Sequence, residues 1–316
     1  MISIERETVD ELYTETLFNL HVSYIEEETR GGPVRSFAEP VMWALTNPRN
    51  RILINTVRDA NPFFHVMEFI WMMSGEPKIE WITQFSKNYG NFADDYAGYG
   101  YAWRHKFGFD QIAEVIALLK QDPNTRRAVL TMWKPDCDLT LQPRKEVACN
   151  TQIYFRNIRG RLDMTVTNRS NDIIWGALGA NVVHMTMLHE LIAHGAGLQL
   201  GIYRAFSTNA HMYENMPRFE ELWEFSPYGF HFVEQCRPLL EEEEGWENFV
   251  EDAENFVSAE RMRSFFKTKW FREVACPVYS NFFQREEPRL QIACPAWSRA
   301  CEEWLQRRSI QAKAGV

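Results

Sequence analysis

An α+β fold, in which helices cover a mixed or antiparallel sheet, follows from three features of the chain. Helix signals lead it, three strand-like runs then fall close together between residues 128 and 166, and an apolar helix and a further strand come after them. Strands that adjoin in sequence without intervening helices argue against a regular βαβ series. The chain has 316 residues, 45% of them hydrophobic and 24% charged, enough for a sizeable core. No repeat and no Gly/Ser-rich or Pro-rich linker divides it, so a single domain over residues 1–316 is expected.

Thr8-Val9-Asp10-Glu11 has the capping-box pattern and leads into Leu12, Leu17, Phe18 and Leu20. A clearer helix follows: Asn61 suits the cap, Pro62 the first position, residues 63–73 an apolar body and Gly75 the end. Glu68 lies in the middle of that apolar body. Ile112, Val115, Ile116 and Leu119 recur at helical spacing until Asp122-Pro123-Asn124 breaks the pattern. Residues 128–133, 149–155 and 162–166 read as strands, the last two joined by a turn at Gly160. Residues 182–193 read as a helix and 200–206 as another strand. Beyond Tyr213 the signals weaken until residues 297–307, which look like an amphipathic helix.

Net charge is −9, and residues 238–256 hold eight Asp or Glu and no Lys or Arg. An acidic field repels phosphate-bearing polymers, so nucleic acid is not an expected partner, and a phosphate site must be a local arginine cluster. Glu241 to Glu244 read as a solvated segment. No apolar run approaches the roughly 18 residues that span a bilayer, so no membrane association is expected. Charges occupy the start of the chain where a secretory signal would be apolar. The six cysteines form no CxxC pair, which suits reduced thiols and a cytoplasmic location.

His189 and His194 are five residues apart, as are His184 and His189; five steps of about 100° separate such rings by roughly 140° on a regular helix. No metal is expected, and packed or capping roles suit these histidines. Trp175-Gly176-Ala177-Leu178-Gly179 lacks the order of a dinucleotide-binding loop and reads as an ordinary loop. What remains suits an anionic nucleotide. Arg126 and Arg127 begin one strand, and Arg169-Ser170 ends another; guanidinium forks and a hydroxyl suit phosphate oxygens. Cys149 becomes a candidate nucleophile if the fold brings Arg169 close enough to lower its pKa.

Several segments occur in order: Glu68-Phe69-Ile70-Trp71-Met72-Met73-Ser74-Gly75, Tyr99-Gly100-Tyr101-Ala102-Trp103-Arg104 and Asp122-Pro123-Asn124-Thr125-Arg126-Arg127, then Cys149, Arg169-Ser170-Asn171-Asp172, Gly179-Ala180-Asn181 and His211-Met212-Tyr213. Together they resemble the thymidylate synthase and pyrimidine hydroxymethylase superfamily. Order and most spacings agree over about residues 55–213.

The resemblance implies that Cys149 adds to C6 of a pyrimidine ring, which makes C5 a nucleophile toward 5,10-methylenetetrahydrofolate. It implies proton and water handling by Glu68 and Tyr99, phosphate binding by Arg169 and Ser170, and sugar binding by His211 and Tyr213. Asp172, Tyr89 and Arg58 are implied on the folate side. A homodimer is implied in which a sheet face forms the twofold contact and Arg126 and Arg127 reach the partner's phosphate. Asn181 suits uracil, since a carboxamide can accept from N3–H and donate to O4.

The exocyclic methylene left on C5 takes either hydride, giving thymidylate and dihydrofolate, or water, giving a hydroxymethyl group and tetrahydrofolate. Four departures from thymidylate synthase bear on the choice, and the smaller walls and altered lid favour water. Tyr89-Gly90-Asn91-Phe92 replaces the family's Trp-Asp-x-Trp wall, Ala148-Cys149-Asn150 replaces Pro-Cys-His, residues 175–181 carry one extra residue, and residues 214–316 diverge from the usual folate-capping end. The expected activity is therefore dUMP 5-hydroxymethylation, with thymidylate synthesis and dCMP hydroxymethylation as alternatives. A cysteine hydrolase using Cys149, His211 and Asn181, or a non-catalytic nucleotide-binding protein, are rivals of other classes. Arg30 and Arg35 compete for the role of a further phosphate arginine.

Overall fold

The computed structural model describes residues 1–91, 93–96, 98–140, 145, 147–223, 234–258, 265–284 and 289–314, with side chains in the last helix as far as Ser309. Phe92, named above in the altered wall, lies outside the described residues.

The chain opens with β1 (Ile2–Arg6), α1 (Val9–Val22), the hairpin β2 (Tyr24–Thr29) and β3 (Gly32–Phe37), and β4 (Val41–Leu45). Helices α2 (Pro62–Ser74), α3 (Glu80–Thr83), α4 (Tyr99–Arg104) and α5 (Gln111–Gln121) follow. Then come β5 (Val129–Thr131), α6 (Pro135–Asp138), β6 (Asn150–Ile158), β7 (Arg161–Asn168) and β8 (Asn171–Asp172). The remainder is α7 (Asn181–Gly195), β9 (Gln199–Ser207), β10 (Ala210–Tyr213), α8 (Phe219–Trp223), α9 (Trp246–Ser258), α10 (Cys276–Phe283) and α11 (Pro295–Ala314).

The local signals act as the residue chemistry dictates. Thr8 and Glu11 form a reciprocal capping box on α1. The Asn61 side chain accepts from the Phe64 N–H at 3.1 Å, and Gly75 closes α2 at φ 69°. Buried on nearly every face, α2 packs against α4, α7, α9, α10 and α11. Gly100 is needed for the approach of α4, because a Cβ there would sit 2.0 Å from the Met72 carbonyl oxygen.

Among the described residues the main sheet runs β1-β4-β9-β7-β6-β5, with β1/β4 and β7/β9 parallel and the other neighbours antiparallel. Ile153, Phe155, Met164, Val166 and Tyr203 point inward beneath the helices. Tyr154, Thr165, Thr167, Arg204 and Phe206 lie on the opposite, more open face. A second sheet, β2-β3-β10-β8, joins the Arg30 hairpin to the chain segments that follow β7 and β9.

One expectation is corrected. Residues 175–179 are not an ordinary loop: Ile173–Ala180 form π-helical turns, whose wider pitch takes up the extra residue and still delivers Asn181 to the start of α7. Gly179 breaks the helical dihedrals there, and a Cβ on it would meet Ile174 O at 2.5 Å. The solvated reading of Glu241 to Glu244 holds: Glu241, Glu242 and Glu243 are exposed and Glu244 is half-buried. Further along, α9 carries a fully buried Asp252 that accepts from Thr268 Oγ1 at 2.7 Å and from the Lys267 and Thr268 N–H groups. The histidines do pack: His189 Nε2 is bonded to Leu162 O, and His194 Nε2 lies 2.7 Å from Glu244 O.

Glu190 on α7 binds Arg49 Nε at 2.8 Å, the buried Arg51 guanidinium and the Leu239 N–H. Burial opposes its charge, but Arg51 and Arg49 outweigh it and hold the carboxyl below the ordinary range. Glu190→Ala strands Arg51 and is expected to cost about 3–5 kcal/mol in urea unfolding; a loss under about 1 kcal/mol would show the pair to be dispensable. Because the folded pKa is depressed, this stabilisation is complete above the ordinary glutamate pKa and fades only as pH falls through the lower folded value.

Candidate active site

The strand β7 ends at Asn168, and the next four residues each hold a different part of one site. Arg169 N–H donates to Cys149 O at 3.0 Å, while its side chain bonds Ala148 O at 3.0 Å and Val147 O at 2.8 Å. These bonds strap the 147–149 turn and bring Nη2 to 3.7 Å from Cys149 Sγ. A guanidinium at that distance favours thiolate over thiol. None of the six cysteines is in a disulfide, and Cys149 is half-buried. On its far side the Asn150 N–H donates to Tyr99 Oη at 3.4 Å, and Tyr99 stacks on Trp103. Tyr99 and Ala148 line a cavity of about 460 Å³ that also contains Lys106, Met132 and Cys137.

Ser170 Oγ lies 3.3 Å from Asn209 Oδ1, which also receives His211 Nδ1 at 2.7 Å. Burial pushes the His211 pKa down, so the ring is neutral. With its hydrogen on Nδ1, it presents Nε2 as an acceptor. Tyr213 stands edge-on to it at 5.0 Å. Asn209 was not singled out by sequence; a small polar residue two positions before His211 in a strand-to-strand turn was its only signal.

Asn171 Oδ1 accepts from Asn181 Nδ2 at 3.3 Å, which leaves the Asn181 carbonyl oxygen and a second amide hydrogen for a ligand. Asp172 caps the π-helical segment through the Trp175 N–H, but its Oδ2 is buried and has no partner among the described residues. Burial raises the Asp172 pKa to about 6, against the pull of the Trp175 N–H and the nearby Arg58 charge. Arg58 is itself buried; its Nε donates to Ile174 O at 2.8 Å and its guanidinium lies 4.1 Å over the Trp175 ring. The Tyr13 hydroxyl, also buried and unpartnered among the described residues, lies within reach of both charges.

Glu68 is buried in α2, with Oε2 3.5 Å from Nε2 of His184. His184 is packed, as expected of it, and burial drives its pKa down to about 3, so a neutral ring faces the carboxyl group. Tyr89 is buried against Phe64 and Trp71.

Arg126 and Arg127 are not brought to this site within the chain. Both are exposed, and they precede β5 at the end that pairs with the middle of β6: Phe155 N–H bonds Ala128 O. Six residues of extended strand, about 20 Å, separate that end from Cys149. Arg30 and Arg35 are also separated by the fold. Arg35 is bound to Glu214 at 2.9 Å and enclosed by the rings of Tyr24, Phe219 and Trp223. Arg30, at the hairpin tip, reaches Lys145 O at 3.4 Å, four residues before Cys149.

The sequence model of the family described as thymidylate synthase matches residues 24–229. A deoxyuridylate hydroxymethyltransferase from Pseudomonas phage M6 is 36% identical, over 96% of this chain and 94% of that protein. Proteins of the same name from Bacillus phage SP01 and Delftia phage PhiW-14 are 31% identical over 55% of this chain and 49% of theirs, and 30% identical over 76% and 66%. A crystal structure of thymidylate synthase from T4 phage has the same fold, with a TM-score of 0.60 at 21% identity over 76% of this chain and 90% of that one.

Iodoacetamide is expected to label Cys149 ahead of the buried Cys236, Cys276, Cys294 and Cys301. Removing the guanidinium in Arg169→Ala should slow that labelling severalfold at pH 7. Peptide mass mapping reads both, and an unchanged rate would show that Arg169 does not activate the thiol.

Proposed function

The chain belongs to the thymidylate synthase family, and from that premise we propose that it is a folate-dependent dUMP 5-hydroxymethylase. The reading converts dUMP, 5,10-methylenetetrahydrofolate and water into 5-hydroxymethyl-dUMP and tetrahydrofolate. The hydroxymethyl product is supported by the phage M6 relative, whose similarity runs through nearly the whole chain. The covalent chemistry rests on one contact, Arg169 Nη2 at 3.7 Å from Cys149 Sγ.

In this reading the Cys149 thiolate, favoured by Arg169, bonds C6 of the uracil ring and pushes electron density to C5. Asn181 reads the base: its carbonyl oxygen accepts from N3–H, and its second amide hydrogen meets O4. Neutral His211 accepts from the sugar hydroxyl through Nε2, with Tyr213 beside it. Arg169, Ser170 and Arg30 face the phosphate. The bond of Arg35 to Glu214 and its aromatic enclosure support Arg30 over Arg35 for that task.

The folate co-substrate fits an orphaned acceptor. Buried Asp172 Oδ2 lacks a partner among the described residues and suits the N–H groups of a pterin edge, while Arg58 and Tyr89 lie on the same side in the family arrangement. Glu68 and Tyr99 handle protons near C5 and the incoming carbon. Water enters at a wall that carries Tyr89 where the family has a larger tryptophan. Among the described residues no group of His, Cys, Asp or Glu is arranged to hold a metal ion.

We infer a twofold homodimer built on the open sheet face around Tyr154, Thr165, Thr167 and Phe206. Arg126 and Arg127, exposed and remote from their own Cys149, would complete the partner's phosphate site. No helix among the described residues is long and apolar enough to cross a membrane. A reducing cytoplasm suits a mechanism that needs a thiolate.

Three measurements test the reading. Incubation of dUMP, and separately dCMP, with methylenetetrahydrofolate should give a product heavier than a methylated one by a single oxygen, from dUMP alone and without dihydrofolate absorbance. A methylated product with dihydrofolate would make the protein a thymidylate synthase; turnover of dCMP alone would overturn the role of Asn181. Cys149→Ala should abolish turnover and retain dUMP binding by calorimetry.

Asp172 must be ionised to accept from the pterin, so kcat/KM for the folate should be level above about pH 6 and fall as pH drops below that value. Asp172→Asn should raise the folate KM by about tenfold or more; a flat profile with an unchanged KM would remove Asp172 from the folate site. Mixing Cys149→Ala subunits with Arg126→Ala/Arg127→Ala subunits should restore activity that neither has alone, and no recovery in mixed dimers would sink the shared site.

A further inference from the structure

The segment bearing Arg58 is held from outside by the C-terminal part of the chain. Asn55 Oδ1 accepts from the Val57 and Arg58 N–H groups at 2.9 and 2.8 Å, and the turn ends at Asp59, whose backbone is left-handed at φ 49°. A residue with a Cβ is strained in that conformation and persists there only when its surroundings hold it. Two arginines of α11 do so. Arg308 grips Asp59 with both nitrogens, Nη2 to Oδ2 at 2.8 Å and Nη1 to Oδ1 at 3.1 Å, and Arg307 Nε adds a bond to Oδ1 at 3.0 Å.

The grip is rigid at its base. The Arg308 guanidinium lies 3.4 Å from the Trp304 ring centroid, and Trp304 is buried against Phe63 of α2. A third arginine, Arg218 beside α8, donates to Thr56 O at 2.8 Å. Contacts from residues 218, 307 and 308, all within the divergent part, thus converge on residues 56–59.

We propose that α11, through Arg307 and Arg308 on Asp59, positions Arg58 for the folate co-substrate; Asp59, Arg307 and Arg308 are positioning residues that do not touch substrate. The inference rests on the reading of Arg58 as a folate-side residue. The Arg58 Nε bond to Ile174 O and its stack on Trp175 both reach from the backbone that Asp59 anchors, so a relaxed turn would loosen both contacts.

Steady-state kinetics on the full-length protein, with product read by mass, separate this role from a merely structural one. Arg307→Gln/Arg308→Gln changes partly exposed side chains and should raise the methylenetetrahydrofolate KM about tenfold while kcat and the dUMP KM stay within about twofold. Asp59→Gly is the discriminating variant. Glycine adopts φ 49° without strain, so a purely conformational role for Asp59 would leave the folate KM unchanged, whereas the proposed clamp predicts the same rise as the arginine pair. All three changes together should do no more than either set alone, since they remove one unit. Arg308→Lys, which keeps charge but not the two-nitrogen grip, should fall between.

An unchanged folate KM in Asp59→Gly or in the arginine pair overturns the clamp. So does a loss of dUMP affinity matching the loss of folate affinity, since that marks general damage. Wild-type protein without folate-dependent turnover would instead sink the functional reading itself, and that result is distinguishable because it precedes any variant.

Discussion

The site depends on the register of one short run, Arg169 to Asp172, where the chain leaves the main sheet and enters the small one. Its residues reach Cys149, Asn209, Asn181 and the Arg58 pocket in turn. The run is tied at both ends: Arg169 N–H bonds Cys149 O, and β8 pairs in parallel with β10. In extended chain a slip of one residue turns every side chain to the other face. Such a slip would point the arginine away from the sulfur and the carboxylate away from Arg58 together, so Cys149, Asn181 and Asp172, the three groups on which the proposed mechanism rests, share one geometric constraint.

Charge is managed locally in a chain whose overall balance is acidic. Two cationic side chains near the site are hydrogen-bonded to neutral main-chain oxygens: Arg169 to Ala148 and Val147, and Arg58 to Ile174. A guanidinium bonded to carbonyls keeps its full charge for an anionic ligand or a thiolate, whereas one bonded to a carboxylate is largely neutralised. Arg35 and Arg51, bound to Glu214 and Glu190, are of the second kind and serve the architecture.

The histidines divide along similar lines. His184 and His189 are held neutral by burial, so neither adds charge beside Glu68 or in the core. His211 is neutral for the same reason, and its Nδ1 is held by Asn209, which leaves Nε2 as a defined acceptor. His184 and His189 are each bonded through Nε2 to a main-chain oxygen and keep a buried Nδ1 without a partner among the described residues, so it is the surroundings of the second ring nitrogen that separate the cases.

The sequence by itself determined what depends on neighbours a few residues away. The Thr8 capping box, the Asn61-Pro62 start and Gly75 end of α2, the turn at Gly160 and the alternation along β6 and β7 all act through local hydrogen bonds, steric limits and side-chain period. The ordered motifs carried the proposed catalytic chemistry because each group assigned to it sits in its own recognisable segment. What only the tertiary structure decided were the pairings between distant segments. It separated Arg30 from Arg35, turned residues 173–180 into π-helical turns that still deliver Asn181, buried Asp252 inside an acidic stretch, and brought α11 onto Asp59. Charge and hydrogen-bond energies depend on distance in space and on burial, and neither quantity is written into the spacing of residues along the chain.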